Sequence, residues 1–143
     1  MLKKCFVFDV DGTLFNTEWR VPLKAINKED FNEKCGDDPP VPEIVFLAQV
    51  LNDVFPVVIV TTREKRYKKK TLDLLDRSSV PYAATYFAEN YDERNDGKIK
   101  ADLLEEMKRD GWEPFAVFDD RQIVVDMWRE KGYKCLQCQP GDF

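Results

Sequence analysis

Hydrophobic and polar positions change their spacing several times along this sequence, from short apolar runs to stripes with helical spacing and back. The apolar runs are rich in Val, Ile and Phe and lack the polar alternation of a half-exposed strand, which predicts strands buried on both faces. The predicted strands cover residues 3–10, 57–61, 82–87, 115–118 and 134–138. The stripes predict helices at residues 42–52, 67–77, 98–110 and 122–131. This alternation predicts an α/β fold with a doubly wound, mostly parallel sheet.

Two polar segments interrupt this pattern. Residues 15–40 end in a Gly-Asp-Asp-Pro-Pro run and predict an irregular or partly hairpinned excursion. A second excursion is expected between Val80 and Lys98. Its turn-forming residues are Asn90, Asp92, Asn95, Asp96 and Gly97. Neither excursion is long enough for an independent unit, so we expect residues 1–143 to form one domain without a large cap.

The overall composition narrows the chemistry that this chain can perform. Its 143 residues are 43% hydrophobic, which is enough for one buried core. The formal net charge is -5, so the surface as a whole repels polyanions and a phosphate partner must be held locally. The sequence contains no histidine, which excludes Ser-His and Cys-His nucleophile pairs and His-ligated zinc sites. Catalysis is therefore left to carboxylates.

The sequence has neither the apolar length of a membrane span nor the start of a signal peptide. The longest apolar run, residues 54–60, is far shorter than the roughly 20 residues of a transmembrane helix. The first four residues lead directly into a predicted strand, unlike a cleaved signal sequence. We therefore expect no membrane association and a cytoplasmic location.

Polar residues follow three of the predicted strands. The first ends in an Asp-Val-Asp-Gly-Thr run at residues 9–13, and the second ends in Val-Thr-Thr-Arg at 60–63. The fourth is followed by Asp-Asp-Arg at 119–121. In open α/β sheets, ligands bind beyond the carboxyl ends of the strands. We therefore expect four carboxylates and a threonine hydroxyl to meet at one edge of the sheet.

Carboxylates that lie so close together repel one another and need a cation. Carboxylate oxygens are preferred ligands of Mg²⁺, so the pattern predicts a magnesium site. The predicted metal ligands are Asp9, Asp11, Asp119 and Asp120. Two mechanisms are compatible with such a site, a metal-activated water or covalent catalysis by a carboxylate. The Asp-x-Asp spacing favours the second, because one carboxylate can attack phosphorus while the other protonates the leaving oxygen.

The Asp-Val-Asp-Gly-Thr run resembles the first motif of the haloacid dehalogenase superfamily of phosphotransferases. The resemblance implies a Rossmann-like core in which Asp9 is the nucleophile that forms an aspartyl phosphate and Asp11 is the general acid and base. It also implies that Thr61 is the phosphate ligand of the second motif. Asp119 and Asp120 would then be the metal-binding acids of the fourth motif.

The C-terminal part narrows the resemblance to the 3′-phosphatase domain of phage polynucleotide kinase-phosphatases. It is carried by Asp-Asp-Arg at residues 119–121, Val-Asp-Met-Trp-Arg at 125–129 and Gly-Asp-Phe at 141–143. On this resemblance Lys100 is the lysine of the third motif, with Lys98 as the alternative. The implied activity is Mg²⁺-dependent removal of 3′-phosphates from DNA or RNA ends.

Two features depart from that family. Thr62 stands where the second motif leads us to expect glycine. The chain also contains no Gly-x-x-x-x-Gly-Lys-[Ser/Thr] phosphate loop, so 5′-kinase activity is not expected from it. Kinase or ligase functions would then come from separate partners.

Further residues are candidates for substrate binding. We expect Thr62, Arg63 and Arg121 to contact the substrate, and Arg63 directly follows the second motif. The planar guanidinium of Arg63 suits a phosphate group. Trp19 and Arg20, on the first excursion, are either substrate contacts or local packing residues.

A basic run at residues 63–70 contains six basic residues and one acidic residue. It has two interpretations, a surface that tracks the phosphates beside a 3′ end with Tyr67 stacking on a base, or a solvated helix face. Two alternative functions also stay open. One is a phosphatase of free nucleotides or other small phosphate esters. The other is a non-catalytic, phosphorylatable receiver-like module, against which Asp11 argues because a receiver needs no general acid.

Overall fold

A computed structural model describes residues 2–90 and 96–142 of the chain. The strands are β1 (Lys3–Phe8), β2 (Val57–Glu64), β3 (Ala84–Ala88), β4 (Trp112–Asp119) and β5 (Cys135–Gln137). They form one sheet in the order β3-β2-β1-β4-β5, and every pair of neighbouring strands is parallel. The predicted α/β fold with a parallel sheet is confirmed.

Helices cover both faces of this sheet. They are α1 (Leu23–Ile26), α2 (Lys28–Glu33), α3 (Pro42–Leu51), α4 (Lys68–Arg77), α5 (Asp96–Arg109) and α6 (Gln122–Glu130). Phe6 and Phe8 of β1 share an apolar layer with α3 and α4, whereas Cys5 and Val7 share the opposite layer with α5 and α6. The strand shows no polar alternation because both of its faces are covered. None of the helices in the described ranges is long and apolar enough to span a membrane.

Most predicted elements are present with shifted ends. β1 ends at Phe8 rather than at residue 10, because the backbone turns sharply after Asp9. α5 begins at Asp96, so Asp96 and Gly97 lie in a helix rather than in the predicted turn. The predicted turn formers Asp92 and Asn95 lie outside the described residues.

The first excursion is helical, which corrects the prediction of an irregular or partly hairpinned segment. It contains a 3₁₀ turn at Glu18–Arg20, then α1 and α2, then a second 3₁₀ turn at Lys34–Asp37. Helices of four to six residues are too short to show a helical repeat in the sequence. A single antiparallel bridge between Phe15 and Pro40 joins the two ends of the excursion. The described residues contain no large cap over the sheet.

The apolar layer between the sheet and α5 should be sensitive to lost volume. Leu104 of α5 is 1% exposed within this layer. We expect Leu104→Ala to lower the free energy of unfolding by about 2–5 kcal/mol, because the substitution leaves a cavity. Urea unfolding measures this change. Val54→Ala is the control, since Val54 is 65% exposed, and it should change stability by less than about 0.5 kcal/mol. Equal stability of the two variants would contradict the described packing.

Candidate active site

The chain reverses its direction of winding between β1 and β4, which are neighbours in the sheet. Such a switch point opens a crevice beyond the carboxyl ends of the two strands. Asp9 directly follows β1, Asp119 is the last residue of β4, and Asp120 comes next. Each of the three offers a carboxylate oxygen within 4.8 Å of the others, and all three residues are buried. The fold therefore brings three of the predicted acids together at the expected edge.

A tight turn after β1 sets the position of Asp9. The carbonyl of Val10 accepts hydrogen bonds from the amides of residues 13–15, and the Thr13 hydroxyl donates to Oδ2 of Asp9 at 3.1 Å. Gly12 has a φ of +79°, and a Cβ at this position would lie 2.1 Å from Oδ2 of Asp120. Glycine is therefore required here by the backbone conformation and by the approach of a carboxylate.

A buried lysine lies between these acids. The Nζ atom of Lys100 donates to Oδ1 of Asp9 and to Oδ2 of Asp119, each at 2.7 Å. Lys100 is 2% exposed, whereas Lys98, the alternative from the sequence, is exposed. The geometry therefore selects Lys100 as the lysine of this site.

The charges of this group fit a divalent cation. Burial and the carboxylate of Asp119 raise the pKa of Asp9 well above its usual range, while Lys100 acts in the opposite direction. Burial also raises the pKa of Asp120. Three carboxylates face one ammonium group, so negative charge is in excess in a buried place. Mg²⁺ prefers carboxylate oxygens and would relieve this repulsion, so Asp9, Asp119 and Asp120 are a suitable donor set.

The end of β5 and the segment after it pack against Asp120. The Nε2 atom of Gln137 donates to the backbone carbonyl of Asp120 at 2.9 Å, and that of Gln139 donates to its carboxylate at 3.2 Å. A Cβ on Gly141 would lie 2.0 Å from the Asp120 carbonyl oxygen. The Gly-Asp-Phe run therefore contains a glycine that permits this close contact.

Asp11 is held by arginines instead of joining the three clustered acids. Nη2 of Arg63 donates to Oδ1 of Asp11 at 2.8 Å, and Nη2 of Arg20 donates to the same oxygen at 3.1 Å. Burial raises the pKa of Asp11, but Arg63 and then Arg20 outweigh burial, so the pKa lies below its usual value. In the described part of the chain, the acids placed to share an ion are Asp9 and the pair at residues 119–120. Asp11 lies outside this group of three, and its predicted metal role stays a prediction.

Arg63 is buried, and protein groups use all five of its N–H donors. Nε and Nη2 donate to Asp11, and Nη2 also donates to Asp38. Nη1 donates to the Cys35 carbonyl and to the Thr71 hydroxyl. A direct contact with the substrate phosphate, as predicted, would require one of these bonds to break. In the structure, Arg63 holds the carboxylate of Asp11.

Asp38 was missed by the sequence reasoning. It is 2% exposed and accepts hydrogen bonds from Nε of Arg20, Nη2 of Arg63 and Nε1 of Trp19, each at 2.8 Å. In the sequence, Asp38 belongs to a Gly-Asp-Asp-Pro-Pro run, where an aspartate is an ordinary loop residue. No local pattern distinguishes it from its exposed neighbour Asp37.

The remaining candidates lie around the same edge. The buried Thr61 hydroxyl accepts a hydrogen bond from the amide two residues later at 3.1 Å, which leaves its own hydrogen to donate. Thr62 is partly buried beside it. Arg121 forms an ion pair with Asp96 at the start of α5, and one oxygen of Asp96 has no hydrogen-bond partner among the described residues. Asp96 lies one helical turn before Lys100 in α5. This spacing is the sequence signal that could have placed Asp96 on the same helix face as Lys100.

Acidic side chains neutralise much of the basic run at residues 63–70. The ion pairs are Lys65–Glu89, Arg66–Glu64, Arg66–Glu29, Lys69–Asp73 and Lys70–Glu33. Tyr67 is 6% exposed, which argues against the interpretation in which its ring stacks on a base. The 3₁₀ turn at Lys65–Tyr67 directs this ring into the protein. These contacts favour the interpretation of the run as a solvated helix face.

Comparison with known proteins identifies relatives of this arrangement. A family model described as the polynucleotide kinase PNKP phosphatase domain matches residues 3–143. The chain is also similar to a chain in the solved Pnkp1/Rnl/Hen1 complex, with 28% identity and a TM-score of 0.86. That match covers 99% of this chain and 47% of the other. A second structure, the Pnkp1/Rnl/Hen1 RNA repair complex, gives 28% identity and a TM-score of 0.84, over 99% of this chain and 44% of the other.

More distant structures share the fold. The haloacid dehalogenase-like hydrolase SP0104 from Streptococcus pneumoniae is 16% identical, with a TM-score of 0.66 over 95% of this chain and 84% of its own. At that identity the match concerns the fold alone. The chain described here spans less than half the length of the chains that it matches in the two repair complexes.

The buried carboxylate of Asp38 should be essential to the stability of the first excursion. Asp38→Asn removes the negative charge between the Arg20 and Arg63 guanidinium groups, which then repel each other in a buried place. We expect the free energy of unfolding to fall by about 3–5 kcal/mol, measured by urea denaturation. Asp37→Asn is the matched control, because Asp37 is exposed, and it should change stability by less than about 0.5 kcal/mol. A control that loses as much stability would refute the importance of the arginine contacts.

Proposed function

The chain belongs to the family of polynucleotide kinase PNKP phosphatase domains, within the haloacid dehalogenase superfamily of phosphatases, and from this premise we propose that it removes 3′-phosphates from nucleic-acid ends. The observation that carries the proposal is the buried group of Asp9, Lys100, Asp119 and Asp120, with Asp11 beside it. Family membership also argues against the receiver-like alternative. We further propose that residues 1–143 act as one domain.

In the first proposed step, the Asp9 carboxylate attacks the phosphorus of the substrate. The bond between phosphorus and the 3′ oxygen breaks, and that oxygen takes a proton from Asp11. The products are an aspartyl phosphate and a free 3′-hydroxyl end. Lys100, at 2.7 Å from Asp9, holds the nucleophile in place and offsets part of the charge that gathers there.

In the second proposed step, water attacks the phosphorus and Asp11 accepts the proton that the water gives up. Inorganic phosphate leaves, and Asp9 is regenerated. Arg63 and Arg20 lower the pKa of Asp11 although burial raises it, so Asp11 is a carboxylate before substrate arrives. The negative charge of the bound phosphate ester raises this pKa and favours the protonated form that the first step needs.

The metal of this reaction is proposed to be Mg²⁺. Asp9, Asp119 and Asp120 would hold it, because their oxygens lie within 4.8 Å of one another. When bound, Mg²⁺ neutralises charge on the phosphoryl oxygens and keeps the ester near the nucleophile. Gln139 and Gln137 keep Asp120 in position for this role.

The phosphate oxygens need donors in addition to the metal. We propose that the Thr61 hydroxyl is one, since it is buried at the end of the predicted catalytic strand and its hydrogen is available. Thr62 lies near the end of β2, and Arg121 lies two residues after β4; both are proposed to contact the sugar-phosphate part of the substrate. Arg63 acts indirectly, through Asp11.

The similar proteins support a choice between RNA and DNA as the proposed substrate. The similar chains come from assemblies with Rnl and Hen1, one of which is an RNA repair complex. We therefore propose RNA ends as the first substrates to test, with DNA ends second, and separate kinase and ligase partners in the same repair process. The cytoplasmic location of this protein stays a prediction from the sequence.

Replacement of the proposed nucleophile tests the reaction directly. We expect Asp9→Asn to lower phosphate release from a 3′-phosphorylated oligonucleotide by at least about 10³-fold, because an amide cannot form the covalent intermediate. Phosphate release is measured with RNA and DNA oligonucleotides, with their 5′-phosphorylated isomers and with the matching 3′-mononucleotide. Asp53→Asn, at an exposed position, is the control. Substantial activity of Asp9→Asn would contradict the mechanism, and equal use of the mononucleotide would favour the alternative of a nucleotide phosphatase.

Metal binding is testable apart from catalysis. We expect saturating Mg²⁺ to raise the melting temperature of the wild-type protein, because a ligand that binds only the folded state stabilises it. Asp120→Asn removes one proposed ligand and should lose most of this shift, while EDTA should abolish phosphate release by the wild type. Asp53→Asn should keep the full shift. An equal shift in all three proteins would contradict a metal site at Asp120.

A further inference from the structure

Trp19 is an exposed aromatic side chain that is fixed beside the proposed catalytic acid. Trp19 is 44% exposed and lies on the 3₁₀ turn at Glu18–Arg20. Its indole Nε1 donates to Oδ1 of Asp38 at 2.8 Å. We propose that this partly exposed indole stacks on the base of the 3′-terminal nucleotide, an inference that rests on the function proposed above.

The contacts of Asp38 connect Trp19 to the two arginines that hold Asp11. Asp38 is 2% exposed and also accepts hydrogen bonds from Arg20 and Arg63. Both arginines donate to the same oxygen of Asp11. One buried carboxylate therefore anchors the exposed indole and the two arginines that orient the catalytic acid. A base that follows the scissile phosphate out of the crevice meets this ring next to Asp11.

The anchored indole is suited to stacking. A ring held at its edge by a buried acceptor keeps one orientation, so little conformational freedom is lost when a base covers its face. Stacking is tolerant of sequence, because every base has a π-face. The structure also leaves the site open, since no large cap covers it in the described residues. A chain end can enter, and Trp19 supplies an apolar surface for its last base.

Three other aromatic side chains are poorly placed for this role. Tyr67 of the basic run is buried. Phe46 is 66% exposed but lies on α3, and Phe115 is 53% exposed but packs against Phe6 and Phe55. None of these three takes part in the hydrogen-bond network of Asp11. Trp19 is the exposed aromatic that this network anchors.

The test compares the ring with the base that it is proposed to meet. Steady-state kinetics are measured on a 3′-phosphorylated oligonucleotide and on the same oligonucleotide with an abasic terminal residue. We expect loss of the base to raise the KM of the wild type by about fivefold or more. Trp19→Leu should raise the KM for the normal substrate by a similar factor, and the two changes together should raise it no further than either alone. Trp19→Phe keeps a ring but loses the hydrogen bond that orients it, so it should raise the KM for the normal substrate less than Trp19→Leu does.

Matched controls separate stacking from a purely structural role. Phe46→Leu changes an even more exposed aromatic on α3 and should leave the kinetics on both substrates unaffected. If Trp19→Phe is impaired as strongly as Trp19→Leu, or if both variants lose the same activity on the abasic substrate, Trp19 acts only by holding Asp38 and the stacking proposal is overturned. If the wild type turns over normal and abasic substrates equally, stacking is overturned while the proposed function stands. Failure of the wild type on both oligonucleotides overturns the proposed function as well.

Discussion

The rest of this structure depends on the concentration of negative charge where β1 and β4 end. Asp9, Asp119 and Asp120 lie within 4.8 Å of one another in a buried position, which is unfavourable without compensation. Lys100 supplies one positive charge from α5, and it reaches the acids because α5 packs across the sheet. Gly12 lets the backbone approach Asp120 without a side-chain clash. The remaining excess of charge is what makes the crevice a suitable place for Mg²⁺.

Two aspartates that are only two residues apart lie in opposite electrostatic surroundings. Burial and a neighbouring carboxylate raise the pKa of Asp9. Arg63 and Arg20 lower that of Asp11 in spite of burial. Different surroundings are how two carboxylates of one site take different roles, here the proposed nucleophile and the proposed acid and base. The buried Asp38 makes this arrangement possible, because it balances the two arginines that hold Asp11.

The first excursion contributes residues both to the surroundings of Asp11 and to the proposed contact with the substrate. Its short helices and turns place Arg20, Asp38 and Trp19 around Asp11 while the crevice stays open among the described residues. In the proposed function, the same segment orients the acid and offers a surface to a chain end. An open crevice beside this segment is consistent with a substrate that is too large to be enclosed. Because the run at residues 63–70 is ion-paired and Trp19 is exposed, the proposed contact with bases is made by Trp19 and not by that run.

The sequence by itself determined the parallel α/β core and the strand ends at which Asp9, Thr61 and Asp119 lie. These features could be predicted because strand burial and short motifs depend on residues that are close together in the sequence. Tertiary structure decided which lysine enters the site, since Lys98 and Lys100 differ only in how α5 faces the sheet. It also decided the partners of Asp11 and Arg63, which lie 52 residues apart in the chain. Pairing of distant charges depends on how elements pack, and a linear pattern carries no record of that packing.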